Sequence, residues 1–109
     1  MRDIKFRAWL AEHHEPRMMY FDLREEELNI RYIIDIGSPI MQFTGLKDRN
    51  GVDIYEGDIC HFKNRYDGEY TNTIVYYKNG FYLDDGLHSN WNSEDCEVIG
   101  NIYENKELL

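Results

Sequence analysis

Four glycine-centred turns crowd into the middle of this 109-residue chain: Asp48-Arg49-Asn50-Gly51, Tyr55-Glu56-Gly57-Asp58, Tyr66-Asp67-Gly68-Glu69 and Lys78-Asn79-Gly80. Asn-Gly accepts the positive φ angles that tight hairpins demand. In the second turn Gly57 permits a sharp reversal, and Asp58 is placed to bond local amides as the next strand begins. The runs left between these turns, residues 59–63, 70–77 and 81–83, read as short strands. Short strands punctuated in this way predict a small β-barrel or sandwich.

The flanking sequence continues the pattern. Residues 3–9 alternate charged and apolar side chains and put Ile4, Phe6 and Ala8 on one strand face. His13-His14-Glu15-Pro16 reads as a turn. Residues 17–23 then supply a second strand and, with the first, a hairpin. Arg24-Glu25-Glu26-Glu27 fits a loop or one helical turn equally well. Leu28, Ile30, Tyr32, Ile34 and Ile36 recur at every second position and form the strongest strand signal in the chain. Gly37-Ser38-Pro39 ends that strand, and residues 40–43 start another. Residues 84–95 are polar and predict loops with a short helical turn, Trp91 plugging one end of the core; residues 97–103 return to strand, and the tail through Leu108 and Leu109 reads as a docked helical turn.

This length suits one domain, residues 1–109, because two cores cut from it would each bury too little surface to offset chain entropy. Apolar residues are 42% of the chain and include nine Tyr and five Phe, enough to fold without a disulfide or a structural metal. A formal charge of -9 repels phosphate backbones on average. Basic residues do gather at Arg2, Lys5 and Arg7, at Lys47 and Arg49, and at Lys63 and Arg65, and a nucleic-acid reading requires them to share a face. No apolar stretch is long enough to span a membrane and no secretory signal opens the chain, which predicts a cytoplasmic protein. Cys60 and Cys96 fit a reduced compartment as small core side chains.

Three segments carry a family resemblance. They are Ile4-Lys5-Phe6-Arg7-Ala8-Trp9; residues 41–51 (Met41-Gln42-Phe43-Thr44-Gly45-Leu46-Lys47-Asp48-Arg49-Asn50-Gly51) with Ile54-Tyr55-Glu56-Gly57-Asp58-Ile59; and Val98-Ile99-Gly100-Asn101-Ile102-Tyr103-Glu104-Asn105. In this order and over nearly the whole chain they resemble the YopX-like proteins of phages and prophages. The resemblance implies a mainly β fold containing an SH3-like barrel, self-assembly, a bacterial host cell and no established activity. The sequence departs from the family pattern at Lys106, where a Pro is common, and across residues 22–39.

Asp48, Asn50, Asp53 and Glu56 offer oxygen ligands around a glycine, but a calcium loop needs glycine at its sixth position and helical flanks, so a plain hairpin is the expectation. Cys60, His61, His88 and Cys96 are the right types for zinc, yet adjacent Cys60 and His61 point to opposite faces of a strand and the spacing lacks close ligand pairs. Asp84-Asp85 and Glu94-Asp95 have no base, oxyanion stabiliser or phosphate cradle tied to them. The expectations are therefore no catalytic, cofactor or metal residues. Tyr66, Tyr70, Tyr76, Tyr77 and Tyr82 cluster on two neighbouring strands, divided between core and a protein interface. The sequence thus predicts a mainly β, non-enzymatic, homo-oligomeric interaction module meeting a host or phage protein, with nucleic-acid association as the alternative.

Overall fold

The computed structural model describes residues 4–11, 15–22, 30–66, 68–78, 80–84 and 91–109, and the chain forms two compact units, Met1–Phe43 and Thr44–Leu109. The fold is mainly β: the described residues form eight strands, one short α-helix and two 3₁₀ turns. The acidic cluster at residues 24–27, His13 and His14 lie outside the described residues.

In the first unit, β1 (Lys5–Leu10) and β2 (Arg17–Asp22) form the expected antiparallel hairpin, with Phe6 opposite Phe21 and Ala8 opposite Met19. The start of β3 (Ile40–Lys47) pairs along the other side of β1, Phe6 opposite Gln42 and Ala8 opposite Ile40. The alternation in β1 sends Ala8 and Leu10 into a core with Phe21 and Ile33, against which Phe6, Met19, Ile36 and Ile40 pack. The Phe6 and Phe21 rings stack with centroids 5.9 Å apart. Ile4, expected on the same face, precedes the paired strand and is exposed. Arg7, on the opposite side of β1, is buried at 3% exposure, which the charged alternation did not signal.

The strongest expected strand is instead α1 (Ile30–Asp35). Its burial has a helical period: Ile33 is buried, Ile34 is exposed at 59%, and Ile36, three residues beyond Ile33, packs on the same core. A strand would have set Ile34 and Ile36 on one face. The helix ends in a Schellman arrangement, with the Gly37 amide donating to the Ile34 carbonyl at 3.0 Å and the Ser38 amide to the Ile33 carbonyl at 3.2 Å. This closure needs a left-handed residue, and Gly37 supplies it at φ +71°. Gly37-Ser38-Pro39 is thus a helix C-cap followed by a proline, and tertiary packing of Ile33 overrides the β preference of the isoleucines.

The second unit is the barrel-like body. The rest of β3 runs beside β4 (Asp53–Tyr55), and β5 (Asp58–Asn64), β6 (Gly68–Tyr77), β7 (Gly80–Leu83) and β8 (Cys96–Asn101) form an antiparallel sheet in the order β7-β6-β5-β8. The hairpin of β3 and β4 meets β8 through the Arg49 amide, which donates to the Cys96 carbonyl at 3.0 Å. Ile54, Cys60, Phe62, Ile74, Leu83 and Cys96 make the core. Trp91 packs on it as expected; its ring meets Phe62 edge-on at 6.2 Å, and its Nε1 donates to the Phe81 carbonyl at 3.1 Å. The pairing of β5 with β8 shifts register between Ile59 and Cys60, a bulge that leaves Ile99 without an opposite residue. Residues 93–95 and 106–108 form the 3₁₀ turns Ser93–Asp95 and Lys106–Leu108.

Candidate functional site

The Asp48 turn is where sequence reasoning gathered most oxygen ligands, and its geometry accounts for them. Asp48 is buried at 5% exposure. Its Oδ1 accepts from the amides of Asn50 at 2.8 Å and Val52 at 2.9 Å, and its Oδ2 accepts from the amide of Val98 in β8 at 2.9 Å. Burial by itself would raise the carboxyl pKa; the Val98, Val52 and Asn50 amides, with the Arg49 charge, outweigh burial and hold it below its ordinary 3.8. Asp53 is paired with Lys47 at 2.7 Å. Both Asp48 oxygens are therefore used in tying a hairpin to β8, and the turn is a structural clasp.

The second glycine turn does similar work. The Asp58 carboxylate, 1% exposed, accepts from the Tyr55 amide at 2.7 Å, as its position before a strand implied. Gly57, at φ +88°, donates to the Ile74 carbonyl at 2.8 Å and accepts from the Ile102 amide at 3.0 Å, so one residue joins β6 to the chain leaving β8. Beyond β8, the Asn101 Oδ1 accepts from the Tyr103 and Glu104 amides at 3.0 and 2.9 Å, while the Asn105 Oδ1 accepts from the Asn101 amide at 3.1 Å. Asn105 lies directly over Gly100: a Cβ there would stand 2.6 Å from its Oδ1. Buried Asn101 was not singled out from sequence, although an Asn bonding amides two and three residues ahead is a known turn device.

The other candidates separate. Cys60 and Cys96 are free thiols buried together in the second core. The contact with Cys96, then burial, push the Cys60 thiol far above its ordinary range. His61 is half-buried on β5, outside the core cluster that holds Cys60, and His88 and Asp85 lie outside the described residues. Asp84 follows β7, while Glu94 and Asp95 sit in the 3₁₀ turn whose N-cap Asn92 accepts from the Glu94 amide. Among the described residues no three His, Cys, Asp or Glu side chains are grouped to hold a metal ion. A shallow groove of about 440 Å³ is lined by Ile59, Thr73, Asp84 and Leu109 among others, with Asp84 its one acidic side chain and no imidazole.

Several of the basic residues singled out from sequence have partners. In the second unit Lys47 pairs with Asp53, Arg49 with Glu97 at 2.5 Å, and Lys63 with Glu69 at 3.6 Å. In the first unit the Lys5 ammonium lies over the Phe43 ring at 5.3 Å. The tyrosines divide. Tyr70 stacks on Phe62 in the core at 5.0 Å, whereas Tyr76 and Tyr77 are 51% and 61% exposed on β6 and Tyr82 is exposed on β7. Tyr76 meets Phe81 edge-on at 5.2 Å, and the Lys78 ammonium lies 5.3 Å from the Tyr77 ring. Lys78 carries the turn's positive φ, +57°, and Gly80 begins β7 beneath the Tyr82 ring, so the expected Asn-Gly turn is displaced by one residue; Asn79 is outside the described residues.

No helix among the described residues is long and apolar enough to cross a membrane. The whole chain is similar to a solved protein, EF1440 from Enterococcus faecalis, with 26% identity, a TM-score of 0.61 and 97% of each chain covered. No curated protein matches the chain. The YopX protein family matches residues 11–109, a span that includes the Asp48 and Gly57 turns and the Gly100–Asn105 turn but not β1. The chain belongs to the YopX family.

Proposed function

We propose that the protein is a non-enzymatic, homo-oligomeric interaction module encoded by a phage or prophage and acting in the cytoplasm of its bacterial host. The observation that carries this reading is the contrast between internally used motif residues and an exposed aromatic hairpin. Tyr76, Tyr77, Phe81 and Tyr82 sit on β6 and β7 within residues 70–83, the longest run of the chain without Asp or Glu. In a chain of net charge -9, two copies repel over most of their surface, and this hairpin, with Tyr76 beside Phe81 on one side and Tyr77 and Tyr82 on the other, is where aromatic contact costs least electrostatically. The polar tips and apolar bodies of tyrosines suit a partly wet interface. Edge strands β2 and β7 add main-chain pairing capacity, although on β7 the Phe81 carbonyl already accepts from Trp91. The acidic exterior is then the surface offered to a host or phage protein.

Light scattering coupled to size-exclusion chromatography over a range of concentrations tests the self-association. A mass above that of one chain is expected, and a monomer at the highest concentration refutes it. The alternative, nucleic-acid association, requires Lys5, Arg7, Lys47, Arg49, Lys63 and Arg65 to act as a positive face, and Lys47, Arg49 and Lys63 already have acidic partners. Fluorescence anisotropy with single- and double-stranded oligonucleotides separates the readings: binding at low salt that falls steeply with added salt favours the alternative.

A further inference from the structure

Asn followed by Gly is a chemically labile pair as well as a turn signal. The glycine amide nitrogen can close a ring onto the Asn side-chain carbon because no Cβ stands in its way. Such a pair sits at the tip of the Asp48 hairpin, where Asn50 and Gly51 are both exposed to water. A Cβ at Gly51 would meet nothing within 4 Å, so its nitrogen is sterically open and hydrogen bonds decide its reactivity. Five successive amides of this turn are donors. Asp48 donates to the Val52 carbonyl at 2.8 Å, Arg49 to the Cys96 carbonyl at 3.0 Å and Gly51 to the Asp48 carbonyl at 3.0 Å, while Asn50 and Val52 donate to the Asp48 Oδ1 at 2.8 and 2.9 Å. The proton that Gly51 must lose in order to attack is the one it gives to the Asp48 carbonyl. The bonds on either side fix the backbone that would have to rotate to bring nitrogen and carbon together.

We propose that Asn50 is a deamidation site locked by the Asp48 clasp, so that its conversion records opening of this hairpin. Once the Gly51 amide is released and gives up its proton, its nitrogen bonds to the Asn50 side-chain carbon. The carbon–nitrogen bond of the carboxamide breaks, and ammonia leaves carrying that proton by way of solvent. One water then opens the cyclic imide. Attack at the side-chain carbonyl returns the ordinary backbone with Asp at position 50; attack at the main-chain carbonyl leaves an isoaspartyl link. The net change is one water consumed and one ammonia lost, with no oxidant or reductant. Either product sets a second carboxylate beside Asp48, and like charges at that spacing repel. The isoaspartyl product also lengthens the backbone by one carbon between residues 50 and 51, which throws Val52 out of register with Asp48. A converted hairpin therefore recloses less firmly than the parent.

The test incubates the full chain in mildly alkaline buffer, native and urea-unfolded, then cleaves it after lysine and maps it by mass spectrometry. The peptide of residues 48–63 holds Asn50 as its one Asn, so an amide-to-acid mass change there is unambiguous. Asn50 is expected to convert in the unfolded chain and roughly tenfold or more slowly in the native one, because several bonds of the clasp must open first. Asp48→Ala, where folded, is expected to convert faster than the native parent, and the converted parent is expected to unfold at lower urea than the unconverted one. No conversion in the unfolded chain, equal rates in native and unfolded chain, or a folded Asp48→Ala no faster than the parent would overturn the proposal. A measurement on the parent alone covers an Asp48→Ala chain that does not fold. In urea below the unfolding midpoint, Asn50 conversion should rise in step with hydrogen exchange at the Gly51 amide. Conversion that rises while that amide stays protected would also overturn the proposal.

Discussion

Two hairpin turns of the second unit place their polar groups very differently. Around Asp48 every strong group is consumed internally: three amides converge on one carboxylate, and Lys47 and Arg49 are paired with acids. Around Lys78 a residue with φ +57° turns the chain, the flanking positions are aromatic, and no carboxylate lies between Tyr70 and Leu83. A turn saturated with internal bonds fixes the fold and has little left to offer a ligand. A turn that exposes Tyr76 and Tyr77 leaves aromatic surface outside the fold, and the proposed self-association uses it. On the proposed reading, family membership and function lie on different parts of the second unit, with the quoted motifs recording the first.

That contrast can be broken by mutation. The largest expected effect is Asp48→Ala, which removes one acceptor from the amides of Asn50, Val52 and Val98 and should cost about 3 kcal/mol in urea unfolding. Next is Gly100→Ala, whose Cβ would force Asn105 off the Asn101 amide; a loss of about 1–2 kcal/mol is expected, read from the same denaturation curves. Tyr77→Ser should leave folding stability within about 0.5 kcal/mol of the parent yet raise the concentration needed for self-association, measured by light scattering. The smallest is Lys78→Asn. It relieves a left-handed Lys at the loss of a surface cation–π contact, and a net gain of about 0.5 kcal/mol is expected.

Acid sharpens the comparison further. Because the Asp48 carboxyl is held below 3.8 in the folded protein, its contribution is fully present above that pH and is lost as pH falls through the lower folded value. Thermal melts between pH 7 and 2 should show a steeper acid loss in the parent than in Asp48→Ala. Equal slopes would mean that the clasp is not the acid-sensitive element.

Much of the second unit was legible because its signals are local. Gly51 and Asp58 make their bonds within three residues of themselves and Gly57 turns the chain through its own φ of +88°, and residue type reports such geometry directly. The helix α1 was misread because Ile30, Ile34 and Ile36 satisfy a two-residue period while the deciding residue, Ile33, falls off it; Gly37 followed by Pro39 was the available warning. Arg7 and Asn101 were missed for different reasons. Arg7 is buried between strands whose paired residues, Tyr20 and Met41, are distant in sequence, which charge alternation does not encode, whereas the Asn101 bonds to the next amides are a local turn device that was overlooked inside a strand-like run. The inert character of the Asp48 turn, in turn, depends on Val98, fifty residues away.

Amide hydrogen exchange followed as a function of protein concentration compares the two hairpins in one measurement. The account predicts slow, concentration-independent exchange at Asn50, Val52 and Val98, and exchange across residues 75–83 that slows as concentration rises and the aromatic faces meet. Concentration-independent exchange across residues 75–83, or rapid exchange at the three Asp48-bound amides, would contradict it.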